Sequence, residues 1–241
     1  MDSYNSQTGA EEYIKFINSQ DGEIEKAVLY KAVRARLNGG QARLLDAGCG
    51  TGWLAGKLAE EFTGVFGCDA SGYLIDYAKG HYPKVNFHLC DLTQTLPYEK
   101  NFFDDVVVNM AIHDLADQKK ALANIYKILK PGGKLILTIA NPYYSLPVGV
   151  WKRGLVGRLF FSKPKLQLRP YNLLRKQTRK FSWGALSPYF YPLSEQVNTA
   201  LACGFTLKFL DDLQSENDSK KFDLTYRLYR YPYLLLLEFA K

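Results

Sequence analysis

The chain has 241 residues, 47% of them hydrophobic and 23% charged, with 31 basic side chains against 24 acidic and a formal net charge of +7. That length can bury one substantial core, and the apolar content is too high for an intrinsically disordered segment. Four cysteines and 19 glycines exclude a disulfide scaffold and a collagen-like repeat. The longest apolar runs, such as Leu234-Leu235-Leu236-Leu237, fall well short of the ~20 residues that cross a bilayer. The first residues lack a basic start followed by an apolar stretch, so a cytoplasmic location is expected. Cys49, Cys68, Cys90 and Cys203 form no CxxC pair, and His81, His88 and His113 have no HxxxH spacing. No metal site is expected, and the thiols read as free side chains in a reducing compartment.

In chain order, a polar lead-in precedes a helix over 23–37, where Ile24, Val28, Ala32 and Val33 fall near helical spacing and Gly39-Gly40 stops it. A buried strand over 43–47 runs into a glycine cluster, and a helix over 51–62 follows with Leu54, Leu58 and Phe62 four apart. A second strand, 64–68, ends on Asp69, and Ser71 is placed to cap the next helix. Residues 84–90 form a third strand, 105–110 a fourth, 118–129 a helix stopped by Pro131-Gly132-Gly133, and 134–140 a fifth strand. Strands this apolar, alternating with helices, predict a largely parallel sheet covered on both faces. After Asn141-Pro142 the rhythm breaks for about fifty residues, too long for a featureless loop in a compact domain, so 141–191 is expected to be a structured insertion. A helix over 192–203, a strand over 205–210, a loop over 211–223 and a last strand over 233–239 complete the chain.

The chemistry concentrates in Leu45-Asp46-Ala47-Gly48-Cys49-Gly50-Thr51-Gly52. Three glycines where a strand turns into a helix let the backbone fold tightly and approach a ligand, with the helix N–H groups pointing outward. The dinucleotide fingerprint G-x-G-x-x-G needs glycine at position 53, which is Trp53, so a nicotinamide-dependent oxidoreductase is disfavoured. Asp69, seventeen residues after Gly52, ends the second strand, where an acid can accept hydrogen bonds from both hydroxyls of a ribose. Its other reading is as a cap for the helix after it. Asp91 ends the third strand on the same edge, and three such strand ends make one crevice.

These segments resemble the class I S-adenosylmethionine-dependent methyltransferases. LLDAGCGTGWLA is similar to that family's glycine motif, FGCDAS to its ribose-binding acid, FHLCDLT to its adenine-contacting segment, and ILKPGGKLILTIANP to its fifth strand. The resemblance is strong over 43–140 and weaker through PLSEQVNTALACGF and PYLLLLEFAK. It implies an α/β, Rossmann-like fold with a seven-stranded, mostly parallel sheet in the order 3-2-1-4-5-7-6, helices on both faces and an insertion after the fifth strand. It implies a single methyltransferase domain over 1–241, with 141–191 as its lid for substrate recognition. S-adenosylmethionine would be held by Asp46, Gly48, Cys49, Gly50 and Gly52, by Asp69 and Ala70, by Asp91 and Leu92, and by Asn109 and Met110.

Methyl transfer from a sulfonium is an in-line displacement on an electrophile that arrives activated, so alignment dominates, and a base is needed only for a protonated nucleophile. His113, just past the fourth strand, is the candidate catalytic base; its other reading is a hydrogen-bonded loop residue beside Asp114. Tyr4 and Tyr13 are weaker candidates, placed where a relative's N-terminal helix covers the pocket.

Segment 141–191 holds eleven aromatic and ten basic residues and no acid. That composition suits a small-molecule acceptor that is apolar, planar or anionic, and it equally suits a small hydrophobic subcore with a cationic exterior. Basic residues among aromatics leave RNA methylation as an alternative. Asn141-Pro142-Tyr143-Tyr144 resembles an amino-group methyltransferase motif but follows the wrong strand and lacks the second proline. A helical reading of 146–161, with Val148, Trp151, Leu155 and Leu159 on one face, would allow peripheral membrane contact. A further alternative is a non-catalytic module that binds the cofactor and serves a protein partner. Residues 118–194 carry fifteen basic side chains and no acid, so the basic excess is local and the rest of the chain is acidic.

Overall fold

A computed structural model describes residues 3–39, 41–144, 149–152, 163–168, 179–181, 184–186, 191–218, 220 and 223–241. Five parallel strands form the centre of the molecule: β1 (Arg43–Ala47), β2 (Gly64–Asp69), β3 (Asn86–Leu89), β4 (Phe103–Asn109) and β5 (Leu129–Ala140). Among the described residues of the insertion are four further short strands, β6 (Gly149–Lys152), β7 (Lys165–Leu168), β8 (Arg179–Phe181) and β9 (Gly184–Leu186). Strands β10 (Thr206–Leu213) and β11 (Leu234–Ala240) complete a seven-stranded sheet in the order β10-β11-β5-β4-β1-β2-β3. Strand β11 runs antiparallel to both of its neighbours. Counting only the strands of this sheet, the order is the expected 3-2-1-4-5-7-6.

Side chains alternate along each strand between two cores. Leu44, Val107, Ile136 and Leu236 pack on one face with Leu29 and Val33 of helix α2 (Gln20–Arg34), Leu54 and Leu58 of α3 (Trp53–Leu58) and Ile75 of α4 (Gly72–His81). Leu45, Val106, Val108 and Leu135 pack on the other with Leu122 and Ile125 of α5 (Gln118–Ile128) and Ala200 of α6 (Leu193–Ala202). Full burial of each large side chain contributes roughly 1.5–3 kcal/mol, which is why strands covered on both faces read as continuous apolar runs.

Two helices lie where the sequence pattern gave none. Residues Gln7–Ile17 of the polar lead-in form α1, capped by Ser6, whose side chain accepts from the Gly9 amide at 3.1 Å. Only Ala10 and Ile17 of α1 are fully buried, so its apolar stripe is too thin to stand out in the pattern. Residues Leu224–Arg230 form α7, capped by Asp223 and closed into the first core by Leu224 and Leu228. Helix α2 starts at Gln20, behind its Ser19 cap, three residues before the expected 23. Packing permits this early start, because a Cβ on Gly22 would stand 2.4 Å from the Phe16 carbonyl oxygen.

Within the insertion, β6 (Gly149–Lys152) pairs antiparallel with β7 (Lys165–Leu168), and β8 (Arg179–Phe181) with β9 (Gly184–Leu186). The helical reading of 146–161 therefore fails over 149–152, which is a strand; 145–148 and 153–162 lie outside the described residues. Among the described residues no helix is long and apolar enough to cross a membrane, and no cluster of His, Cys, Asp and Glu is arranged to hold a metal ion.

Candidate active site

The residues singled out by the sequence lie at the carboxyl ends of β1 to β4, and Tyr13 of α1 reaches the loop past β1. Past β1 the backbone enters the left-handed region at Gly48 (φ 76°), Gly50 (φ 53°) and Gly52 (φ 74°). The Gly48 and Cys49 amides donate to the Cys68 carbonyl at 2.7 and 2.9 Å, pinning the loop to β2. A Cβ on Gly48 would stand 2.6 Å from Ala111 Cβ, and one on Gly52 2.7 Å from Phe87 Cζ, so both conformation and space demand glycine. Gly50 faces Tyr13 of α1: a Cβ there would lie 3.2 Å from the ring.

Asp69 ties the second strand end to this loop. Its Oδ2 accepts from the Gly50 amide and its Oδ1 from the Ser71 amide, both at 2.9 Å. Burial pushes its carboxyl above the usual range, and the amides of Ser71, Gly50 and Ala70 pull it back. The capping role falls to Ser71, which accepts from the Leu74 amide at 3.4 Å and donates its hydroxyl to the Tyr4 carbonyl at 2.5 Å. Just past β3, Asp91 is exposed, with Oδ1 accepting from the Thr93 amide and hydroxyl at 2.8 Å each. Leu92 is buried beside it, and its carbonyl accepts from Asn124 Nδ2 at 3.0 Å.

Asp46, at the root of the loop, is 1% exposed. One carboxylate oxygen accepts from the Ala55 amide at 3.2 Å, while Oδ1 has no protein partner, nor does the buried Thr51 hydroxyl. Burial, reinforced by the charge of Asp69 and opposed by the Ala55 amide, pushes the Asp46 carboxyl up to about 7. Orphaned acceptors at the base of a glycine cradle call for a donor from a ligand or solvent. With Asp69 and the open loop, they make a set that fits the amino-acid and ribose portions of S-adenosylmethionine.

At the fourth and fifth strand ends, Met110 takes a left-handed conformation (φ 55°) that is uncommon for a residue with a side chain. Its amide donates to the Thr138 carbonyl at 3.0 Å and to Thr138 Oγ1 at 3.1 Å, and the Thr138 hydroxyl donates to Asn109 Oδ1 at 2.6 Å. His113 sits in the 3-10 turn Ile112–Asp114, partly buried, with Nε2 4.0 Å from Asp114 Oδ1. The fold thus gathers Asp46, Gly48, Cys49, Gly50, Gly52, Asp69, Ala70, Asp91, Leu92, Asn109, Met110 and His113 on one sheet edge.

A family model described as "Methyltransferase domain" matches residues 45–137. A demethylmenaquinone methyltransferase of Lactiplantibacillus plantarum is 31% identical over 158 residues, covering 58% of this chain and 64% of that protein. Another, of Renibacterium salmoninarum, is 34% identical over 95 residues, covering 39% of this chain and 40% of that protein. The chain therefore spans less than two thirds of either relative. A crystal structure of a putative S-adenosylmethionine-dependent methyltransferase from Listeria monocytogenes superposes with a TM-score of 0.76 at 22% identity, covering 91% of this chain and 99% of that one, a likeness of fold. Residues 45–137 thus match a methyltransferase-domain family model, and the strand order and glycine loop are those of the class I S-adenosylmethionine-dependent methyltransferase fold.

Proposed function

We propose that this protein transfers a methyl group from S-adenosylmethionine to a small-molecule acceptor. The observation that carries the reading is the joined crevice of Gly48–Gly52, Asp69 and Asp91, in which one carboxylate orders the loop through the Gly50 amide. When bound, S-adenosylmethionine supplies a methyl group on a positively charged sulfur. Asp69 keeps lone pairs for the ribose hydroxyls, Asp91 faces the adenine edge, and the loop amides with Asp46 take the amino-acid end. Cys49, Ala70, Leu92, Asn109 and Met110 complete the lining, and His113 stands at the acceptor end.

The small-molecule class is supported by the two relatives, both named for demethylmenaquinone. The aromatic, basic segment 141–191 is its proposed lid, joined to the domain at the carboxyl end of β5. A cytoplasmic setting is part of the same proposal.

Calorimetric titration with S-adenosylhomocysteine tests the assignment. Asp69→Ala is expected to weaken binding by at least about tenfold, since hydrogen bonds to a charged group contribute ~1.5–3 kcal/mol each. Undiminished affinity in a folded variant would remove Asp69 from the site.

A further inference from the structure

Residues 111–116 lie between β4 and α5, carry His113, and are held at both ends. At the start, the Ala111 methyl lies against Gly48 of the cofactor loop, so close that a Cβ on the glycine would stand 2.6 Å from it. Within the stretch, the buried Gln118 donates its Nε2 to the Ile112 carbonyl at 3.0 Å. At the end, the Tyr191 hydroxyl lies 3.0 Å from both the Leu115 and the Ala116 carbonyl oxygens and donates between them. Sharing one proton between consecutive carbonyls fixes the direction of that backbone as well as its position. The tyrosine comes from far along the chain, 76 residues after Leu115. It is the last residue of segment 141–191, and its own carbonyl accepts from Nε2 of Gln196 in α6 at 3.1 Å. Gln196 is 6% exposed, so this anchor sits in the core.

We propose that Tyr191 is a positioning residue. Through its hydroxyl it couples the insertion to the turn that carries His113, and through that turn to the loop that holds the methyl donor. Filling the donor site therefore sets the acceptor side before the acceptor arrives. The inference rests on the methyltransferase reading and deepens it by naming how the donor and acceptor halves of the site are regulated together.

The route is short, and its contacts do not yield independently. Gly48 is fixed by its left-handed φ of 76° and by its amide's hydrogen bond to the Cys68 carbonyl. A donor that orders this loop acts on Ala111 by direct packing, and the chain from Ala111 leads to the two carbonyls that Tyr191 holds. Contiguous packing and hydrogen bonding of this kind carry a coupling free energy between sites, and such coupling is reciprocal. Tyr191→Phe removes the one oxygen that closes the route and keeps the ring. If Tyr191 only stabilised the fold, its loss would loosen the loop equally with and without the donor.

The probe is S-adenosylhomocysteine alone, so no acceptor is needed. Trypsin cuts after Lys and Arg, of which segment 141–191 holds ten. In wild type, saturating probe is expected to slow tryptic cleavage within 141–191 at least about fivefold, the low end of usual couplings between sites. It should also shift the NMR ring signal of His113, one of three histidines in the chain. In Y191F the probe should still bind and still shift His113, because the contact of Ala111 with Gly48 remains. The slowing of cleavage, however, should fall below about twofold. Tyr191→Met, which fills similar space without a donor, should match Y191F. A lower Tm in Y191F with the wild-type slowing factor intact would mark a merely structural role and overturn the proposal. Wild type that binds the probe with neither slower cleavage nor a His113 shift would overturn it too, whatever the variants do. Failure of wild type to bind the probe would instead overturn the underlying methyltransferase reading.

Discussion

Gly52 is the most constrained residue of the loop. Its left-handed φ of 74° would cost a side chain about 1–2 kcal/mol, and a Cβ would press on Phe87 and Ala78 at 2.7 and 2.8 Å. Overpacking adds roughly 1–3 kcal/mol. Gly52→Ala is therefore expected to lower unfolding stability by about 2–5 kcal/mol, measured by urea denaturation, with m unchanged. The glycine spacing and the aspartates at strand ends were readable from sequence because backbone conformation and strand ends dictate residue type locally. Met110 was named from the family resemblance, but its left-handed backbone follows from the Thr138 hydrogen bonds, which bring together residues 28 apart.

Among elements, α1 matters most to the site, because it roofs the glycine loop through Tyr13 and is anchored by Ser71. The Ser71 hydroxyl both caps α4 and holds the Tyr4 carbonyl. Ser71→Ala should cost ~1 kcal/mol of cap energy and also release the start of the chain. Limited proteolysis should then cleave within residues 3–18 faster than in wild type, and S-adenosylhomocysteine should slow that cleavage in both proteins. Cleavage at the wild-type rate would show that the tether contributes nothing. Helix α1 escaped the periodicity reading because its inward face mixes Ala10 and Tyr13 with Ile17, and α7 because seven residues span barely two turns. The central strands β1, β2, β4, β5 and β11 were legible, for burial on both faces leaves an apolar run that few other elements produce. By contrast, β6 falls in a stretch that reads as helical, and β10 runs to Leu213 through residues that read as a loop.

At the scale of the molecule, buried carboxylates set an unusual pH response. Asp46 ionises near 3.8 in the unfolded chain and near 7 when folded. Between those values the folded state holds the extra proton, so stability from this group declines as pH rises from about 4 to about 7 and is level above. Asp46→Asn removes the cost of charging the site. The stability of D46N relative to wild type is expected to improve by roughly 3 kcal/mol between pH 5 and pH 8, read as a widening gap in Tm. A gap that stays constant with pH would contradict this placement of Asp46. Comparing the two proteins at each pH cancels the effect of the overall positive charge.

Strand β11 gives the molecule one more property. Its first residue, Leu234, pairs with Ala140, the last of β5, so the hydrogen-bonded ladder ties off everything between them. The enclosed stretch is about 90 residues, and the entropy of tying off a flexible loop grows only as the logarithm of its length, ~0.6 kcal/mol per doubling. In sequence, segment 141–191 lies wholly inside that loop, after the strands that end at Gly48–Gly52, Asp69 and Asp91. If 141–191 is the proposed acceptor lid, acceptor-facing sequence can lengthen, shorten or be exchanged at small thermodynamic cost without touching the strands proposed to hold the methyl donor. On that proposal, the closure made by β11 would make substrate range the most evolvable part of this chain.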